Sequence, residues 1–365
     1  MSTDRHATRR SKLIELIRKA GVSAMLITNP RNVTYLTGFT GEDSYLLIGP
    51  DRLQLFSDSR FQTQLQDECP EIPAEIRTAR LLMPDFLAQL LPKFSLTTLG
   101  IESTSLVVSV RDLLVEKLKP VEVVSQPGLV EELRTIKDDE EIAEIRLAVH
   151  QAERGFELMK SMLVLDMTER QAAHELEHGM RRFGALKAAF EPIIAVGDRA
   201  ALPHYRAGLR RFNESGFTLV DWGAVSSRGY HSDLTRMLVT SKLPPKLHHV
   251  YGVVLKAQQA AIAAIRPGAR CQDVDAVART VIDQAGYGQY FGHGLGHGIG
   301  LDIHELPRFS PISTEVLAPG MVITVEPGIY LPGVGGVRIE DDILVTGDGC
   351  EVLSSVPRDE PTSAG

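Results

Sequence analysis

Three stretches in the second half of the chain concentrate residues capable of metal or acid–base chemistry: FTLVDWGAVSSRGYHSDLTRMLV, FGHGLGHGIGLDIHELP and MVITVEPGIYLPGVGGVRIEDDILV. In the first, the apolar run Phe217 to Val220 delivers Asp221, and a second strand around His231 to Val239 presents Asp233. Alternate strand residues share a face, so His231, Asp233 and Thr235 point together. Two carboxylates in an apolar neighbourhood repel and are costly to desolvate unless a cation joins them. In the second stretch, His293, His297 and His304 crowd together, and imidazole is a common ligand for borderline divalent metals. Gly292, Gly294, Gly296, Gly298 and Gly300 remove the Cβ atoms that would keep the backbone from folding tightly around an ion. In the third, the strand Met321 to Val325 ends on Glu326 ahead of the turn dipeptide Pro327-Gly328. Arg338 and Glu340, two apart in VRIEDDILV, project from one face. Two Asp, two Glu and one or two His are the set expected to hold two divalent ions about 3.5 to 4 Å apart. Oxygen-rich donors with one nitrogen suit Mn²⁺, Co²⁺, Fe²⁺ or Zn²⁺, and the chemistry that follows is hydrolysis.

Other catalytic machinery is missing. The chain has no GxGxxG, no GK[ST] and no GxSxG elbow, and His304-Glu305 lacks the second His of a zincin helix.

Those residues need a scaffold, and the pattern along the chain supplies one in two parts. Leu13, Ile14, Ile17 and Ala20 form one helical face, and AMLIT reads as a buried strand stopped by Asn29 and Pro30. SYLLIG and RLQLFSD read as paired strands around the turn at Pro50 and Asp51, followed by a helix from Arg60 to Glu68. A second round gives helix Arg80 to Leu91, strand TLGIE, helix Asp112 to Leu118 and strand VEVV, an alternation that implies a sheet flanked by helices. The boundary falls near LRTIKDDEEIAEIR, where Asp138, Asp139, Glu140 and Glu141 open a long helix and complement its dipole. The last dozen residues look like a frayed tail.

The 365 residues suggest two domains. Thirty-nine Lys and Arg against 47 Asp and Glu leave a charge of −8, which argues against nucleic acid or an anionic membrane as the main partner. No run of 18 apolar residues occurs, and no secretory core follows the paired arginines near the start. Cys69, Cys271 and Cys350 are odd in number and far apart, which points to a reducing cytoplasm rather than a disulfide framework.

The segments PHY (Pro203 to Tyr205), DWGA…GYHSDLTR, GHGIGLDIHELP, VEPGIY and GVRIEDD resemble, in order and nearly in spacing, the metal-dependent Xaa-Pro peptidases of the pita-bread fold, namely aminopeptidase P, prolidase and, more distantly, methionine aminopeptidase. The first domain, with ITNPRNVTYLTGFTG, is similar to the creatinase-type N-terminal domain. The resemblance implies an α/β (α+β) chain with a creatinase-like domain over 1–134, a pita-bread catalytic domain over 135–356 and a tail over 357–365. It implies Asp221, Asp233, His297, Glu326 and Glu340 as ligands of two divalent ions, Mn foremost with Co, Zn or Fe as alternatives, and Asp233 and Glu340 as the bridging pair. His204, His293 and His304 would bind substrate and stabilise the intermediate. Arg338 would stand beside the ligand Glu, and Glu326 would also shuttle a proton. The implied activity is hydrolysis of the bond between an N-terminal residue and proline, or, alternatively, of Xaa-Pro dipeptides as in prolidase. A non-catalytic binding protein on this fold and a metal-free creatinase-like amidinohydrolase are the remaining alternatives. The implied partners are a peptide with proline second and another copy of the chain in a homodimer. Two departures could alter the rim of the site: Trp222 replaces a small or aliphatic residue, and the hairpin carries an extra residue near Ser226 and Ser227.

Overall fold

A computed structural model describes residues 5–363, and the chain divides into two compact units, Met1–Arg134 and Thr135–Gly365. The first unit runs α1 (Arg5–Lys19), β1 (Ala24–Ile27), α2 (Pro30–Thr37), β2 (Tyr45–Gly49), β3 (Arg52–Asp58), α3 (Gln62–Glu68), β4 (Ala74–Arg77), α4 (Met83–Leu90), β5 (Thr98–Ile101), α5 (Val108–Lys117), β6 (Glu122–Ser125) and α6 (Leu129–Arg134). Its strands form one mixed sheet in the order β4-β3-β2-β1-β5-β6. The central strand β1 is the uniformly apolar AMLI, buried along its whole length, as a strand covered on both faces must be. Asn29 caps α2 by accepting from the Arg31 amide, Pro30 starts the helix, and Gly38 ends it with left-handed backbone. Two helices begin later than their sequence pattern suggests. Arg60 belongs to a turn in which its amide and guanidinium bind Asp58, and Pro84 sets the start of α4 at Met83. The helix expected from Asp112 begins earlier, at Val108.

The second unit opens with α7 (Asp139–Met162) and α8 (Glu169–Arg182), each started by a reciprocal capping box, Asp138 with Glu141 and Thr168 with Gln171. There follow β7 (Lys187–Ala188), β8 (Ile193–Val196), β9 (Phe217–Trp222), β10 (Ala224–Val225), β11 (Leu234–Val239), α9 (Pro245–Ala264), α10 (Cys271–Gln284), β12 (Gly296–Gly298), β13 (Glu305–Phe309), β14 (Val322–Val325), β15 (Gly328–Leu331), β16 (Gly335–Arg338), β17 (Asp341–Val345), β18 (Cys350–Val352) and β19 (Thr362–Ser363). Two principal sheets result, ordered β19-β11-β9-β8 and β13-β12-β14-β17-β18. They touch where Thr235 bridges Glu340, the Glu340 amide donating to the Thr235 carbonyl at 3.2 Å. One core packs Phe156, Met159, Leu176 and Met180 of α7 and α8 against Ile194, Val220 and Trp222. The other packs α9 and α10 against Leu219, Met237, Ile323, Val325 and Ile343. Among the described residues no helix is long and apolar enough to cross a membrane.

The end of the chain departs from the expected frayed tail. Val356 is buried and its carbonyl accepts from Arg236 at 2.7 Å, Arg358 reaches Asp341 at 2.6 Å, and β19 pairs in parallel with β11. Only residues 364 and 365 of that segment lie outside the described part. The reason is electrostatic: buried Asp341 draws Arg358, and this fixes the backbone around it. Trp222 also departs from expectation. Its indole stacks on Phe156 with centroids 4.3 Å apart and donates to the Ala152 carbonyl, so it packs into the core rather than at the rim.

Candidate active site

Strand ends deliver the chemical groups. Asp221 lies on β9 directly opposite Thr235 of β11, and Asp233 precedes β11 by one residue. His297 sits in β12, Glu326 follows β14, Arg338 ends β16 and Glu340 precedes β17. With His204, His293 and His304, these residues line a single cavity of about 630 Å³ in the second unit. Asp221, Asp233, His297, Arg338 and Glu340 are buried, whereas His204 and His304 stand exposed at the edge. His304 meets His297 edge to face with centroids 4.4 Å apart.

Hydrogen bonds fix both the tautomers and the directions of these groups. His293 Nδ1 lies 2.8 Å from the Gly294 carbonyl and therefore carries the proton, leaving Nε2 to accept from Tyr330 Oη at 2.9 Å. Tyr330 in turn accepts from Arg338 Nη1 at 2.7 Å. Arg338 also donates to Thr235 Oγ1 at 3.0 Å and to Asp221, and Thr235 Oγ1 donates to Glu340 at 2.7 Å. One chain of donors thus runs from Arg338 to the acids on one side and to His293 on the other. His297 Nδ1 lies 3.0 Å from the Gly298 carbonyl, so it too carries the proton. Nε2 of His297 then presents a bare lone pair 3.4 Å from Glu326 Oε1 and 3.6 Å from Asp233 Oδ2.

The electrostatics are those of acids held together against their repulsion. Burial pushes the Asp233 pKa well above the carboxylate range, and Glu340, Asp221 and Glu326 push it further. Burial likewise raises Glu340 well above its ordinary value, reinforced by Glu326 and Asp221. It lifts Glu326 to about 8 against the pull of Arg338, and raises Asp221 in spite of Arg338. Desolvation lowers His297 to about 3 and His293 to about 4, which keeps both rings neutral.

Divalent ions fit this donor set. Ligand atoms of Asp233, His297 and Glu340 all lie within 4.8 Å of one another. Asp221 Oδ1 is buried with no hydrogen-bond partner among the described residues. With the acids ionised, a neutral imidazole whose lone pair faces their oxygens gains nothing from them, because all of these atoms are then acceptors. A cation between them converts three repelling acceptors into ligands.

Some sequence expectations change. His231 donates from Nδ1 to the Gly300 carbonyl, 3.0 Å away, and is not among the cavity residues although Asp233 and Thr235 are turned to the site. Gly294, Gly296 and Gly298 of the His-rich loop make room for neighbouring backbone carbonyls. A Cβ at Gly296 would come within 2.1 Å of the Thr324 carbonyl, and one at Gly298 within 2.1 Å of the Leu306 carbonyl, whereas at Gly292 it would meet nothing. Sequence reasoning missed the roles of Thr235 and Tyr330 and the presence of Arg308 at the cavity beside His304. Thr235 shares the face of Asp233, and that alternation was the available signal. For Tyr330 the partner lies in the neighbouring strand, and only the β15–β16 pairing reveals it.

Comparison with known proteins agrees with this architecture. The sequence pattern of metallopeptidase family M24 matches residues 143–347, and that of the creatinase/prolidase N-terminal domain matches residues 9–136. The chain belongs to metallopeptidase family M24 and has the pita-bread fold of that family behind a creatinase-type N-terminal domain. It is 36% identical over 348 residues to the uncharacterized peptidase YqhT of Bacillus subtilis, covering 95% of this chain and 98% of that protein. The Xaa-Pro dipeptidase from Bacillus anthracis superposes with a TM-score of 0.93 at 37% identity, over 98% of this chain and 99% of the other. The X-Pro aminopeptidase from Thermotoga maritima gives 0.88 at 32%, over 97% and 99%.

Proposed function

We propose that the protein hydrolyses the peptide bond between an N-terminal residue and proline, with two divalent ions held by Asp221, Asp233, His297, Glu326 and Glu340. The observation that carries this reading is the convergence of Asp233, Glu326 and Glu340 on the unprotonated imidazole nitrogen of His297. When bound, such ions supply Lewis acidity that brings the pKa of a water toward neutrality and polarises a carbonyl. The chain's own residues do the rest. Glu326, ionised as a ligand of the ions it would help to hold, would take the proton of the attacking water at its carboxylate and hand it to the proline nitrogen as the peptide bond breaks. His304 and His204, at the cavity edge, donate to the oxygen on which negative charge develops. Arg338 neutralises Asp221 and, through Tyr330, holds His293 in one tautomer. Manganese is the ion expected for this oxygen-rich set, and Cys69, Cys271 and Cys350, none in a disulfide, accord with a reducing cytoplasm. Assembly as a homodimer belongs to the same reading.

The primary reading is an Xaa-Pro aminopeptidase. A prolidase reading has its own support: the exposed Arg308 lines the cavity next to His304, and a guanidinium there would reward the free carboxylate of an Xaa-Pro dipeptide. The protein of Bacillus anthracis is called an Xaa-Pro dipeptidase. Offering Xaa-Pro and Xaa-Pro-Yaa side by side, with Mn²⁺, Co²⁺, Zn²⁺ or Fe²⁺ restored to chelated protein, decides between them. Cleavage of both peptides, with longer ones preferred, supports the aminopeptidase; cleavage of the dipeptide alone supports prolidase. Equal turnover of Xaa-Ala peptides, or full activity in the chelated protein, would overturn the proposal.

A further inference from the structure

His204 stands exposed at the cavity edge, and among the described residues no hydrogen bond holds its ring. Its direction must come from its backbone. That backbone is an excursion from Val196 to Gly208, made of a 3₁₀ turn at Gly197–Ala201 and then a reverse turn in which the Tyr205 amide donates to the Leu202 carbonyl at 3.2 Å. His204 occupies the corner of that reverse turn.

Both ends of the excursion meet at one carboxylate. Glu169, the first residue of α8, is completely buried. Its Oε1 accepts from the Val196 amide at 2.9 Å, before the excursion. Its Oε2 accepts from Tyr205 Oη at 2.8 Å and from the Gly208 amide at 2.9 Å, after it. The helix start adds two more ties, Glu169 N to the Arg210 carbonyl at 2.9 Å and Arg170 N to the Gly208 carbonyl at 3.0 Å. Gly208 packs closely on these ties: a Cβ there would stand 3.0 Å from Tyr205 Oη and 3.2 Å from Glu169 Oε2 and would press on both. Hydrogen bonds to a carboxylate are shorter and roughly twice as strong as neutral ones, so a single side chain sets the width of the whole loop.

We propose that Glu169 is the positioning residue for His204: it clamps the two ends of the 196–208 segment and so aims the imidazole at the reacting carbonyl. The inference rests on the role given to His204 above. Displacement of a catalytic group by about 1 Å can lower a rate by about 10²-fold, which sets the scale of the effect.

The test is a double-mutant cycle in the metal-loaded full-length protein, read as kcat and KM on an Xaa-Pro peptide together with metal content and Tm. Glu169→Gln keeps the shape but turns an N–H toward one of three donors, and should lower kcat by about 10- to 100-fold with KM and metal content little changed. In a His204→Ala background the same substitution should change kcat by less than about twofold, because nothing is left to aim. Tyr205→Phe, which removes one tie and leaves the carboxylate in place, should give a several-fold loss with the same non-additivity, and it reports even where Glu169→Gln folds poorly. Equal losses in the presence and absence of His204 would make Glu169 a purely structural residue and overturn the assignment. An unchanged rate in His204→Ala alone would remove both the role of His204 and its positioning by Glu169, while leaving the hydrolytic reading intact.

Discussion

Glu340 and Asp341 are consecutive and both buried, yet their carboxyl groups live in opposite electrostatic worlds. Glu340 faces the cavity, where burial, Glu326 and Asp221 drive its pKa well above the ordinary range. Asp341 faces away. Burial acts on it too, but the charges of Arg236 and Arg358 and the hydrogen bonds from Ser354 and Arg236 outweigh it and hold the pKa below its usual value. Arg236 and Arg358 each reach Asp341 at 2.6 Å, and Gln258 donates as well at 2.9 Å. The fold therefore has the means to neutralise a buried acid with its own side chains and does so on one face of this chain segment. On the other face only Asp221 of the four carboxylates is hydrogen-bonded by a guanidinium, that of Arg338. A buried charge without compensation is heavily destabilising, so the cavity face is built for cations that arrive from outside.

The largest expected effect breaks the cavity side of this comparison. Asp233→Asn should reduce turnover by more than about 10³-fold, since the ions' share of transition-state stabilisation is several kcal/mol. Metal content should fall from about two ions per chain, measured by elemental analysis of the purified protein. With metal chelated, the variant should melt higher than the chelated parent, because one repelling acid is gone. A lower melting point for the chelated variant would show that the cavity acids do not strain the fold. Breaking the other face has the reverse signature. Arg236→Ala leaves Asp341 with one of its two guanidinium partners and should destabilise the protein by about 3 to 5 kcal/mol in denaturant titrations, with or without metal. A loss seen only in the chelated protein would tie Arg236 to the metal centre instead.

The two faces were unequally legible in the sequence. Asp221, Asp233, His297, Glu326 and Glu340 stood out because polar residues at the ends of apolar strands are conspicuous, and all five line the cavity. The Asp341 face was invisible, since Arg236 and Arg358 are separated from it along the chain and only β11 and the returning C-terminal segment bring them together. The same ignorance turned an anchored C-terminal segment into an expected tail. The first unit's strands were readable from AMLI, YLLIG and RLQLFSD, while the helix starts were displaced by local contacts at Arg60 and Pro84 that periodicity does not register.

A smaller effect separates groups that border the cavity from groups that neutralise it. His304 touches the His297 ring but stands exposed. His304→Ala should lower kcat by about 10²-fold, the scale of one lost donor to a developing oxyanion, with two ions retained. Loss of metal in step with activity would move His304 among the ligands.

The smallest effect reads the contrast directly as a pH slope. Take the chelated protein between about pH 7 and 8. His297 and His293, lowered to about 3 and 4 by burial, are neutral when folded, and unfolded imidazole at about 6.5 is mostly neutral too, so they add little slope. Asp341 has a lowered folded pKa, so its contribution is lost only as pH falls toward and below about 4, outside this window. Glu326, raised to about 8, still binds a proton in the folded state that the unfolded chain has released. Where the folded state binds more protons, stability falls as pH rises, and the raised values of Asp221, Asp233 and Glu340 act in the same sense. The chelated protein should therefore lose a few degrees of Tm from pH 7 to 8 in a thermal melt, and saturating Mn²⁺ should flatten or reverse the slope by binding the deprotonated acids. Asp341→Asn should leave that slope as it is, whereas Glu326→Gln should reduce it. A flat profile in the chelated parent would mean that the cavity acids are already compensated within the chain, and the two faces would no longer differ in kind.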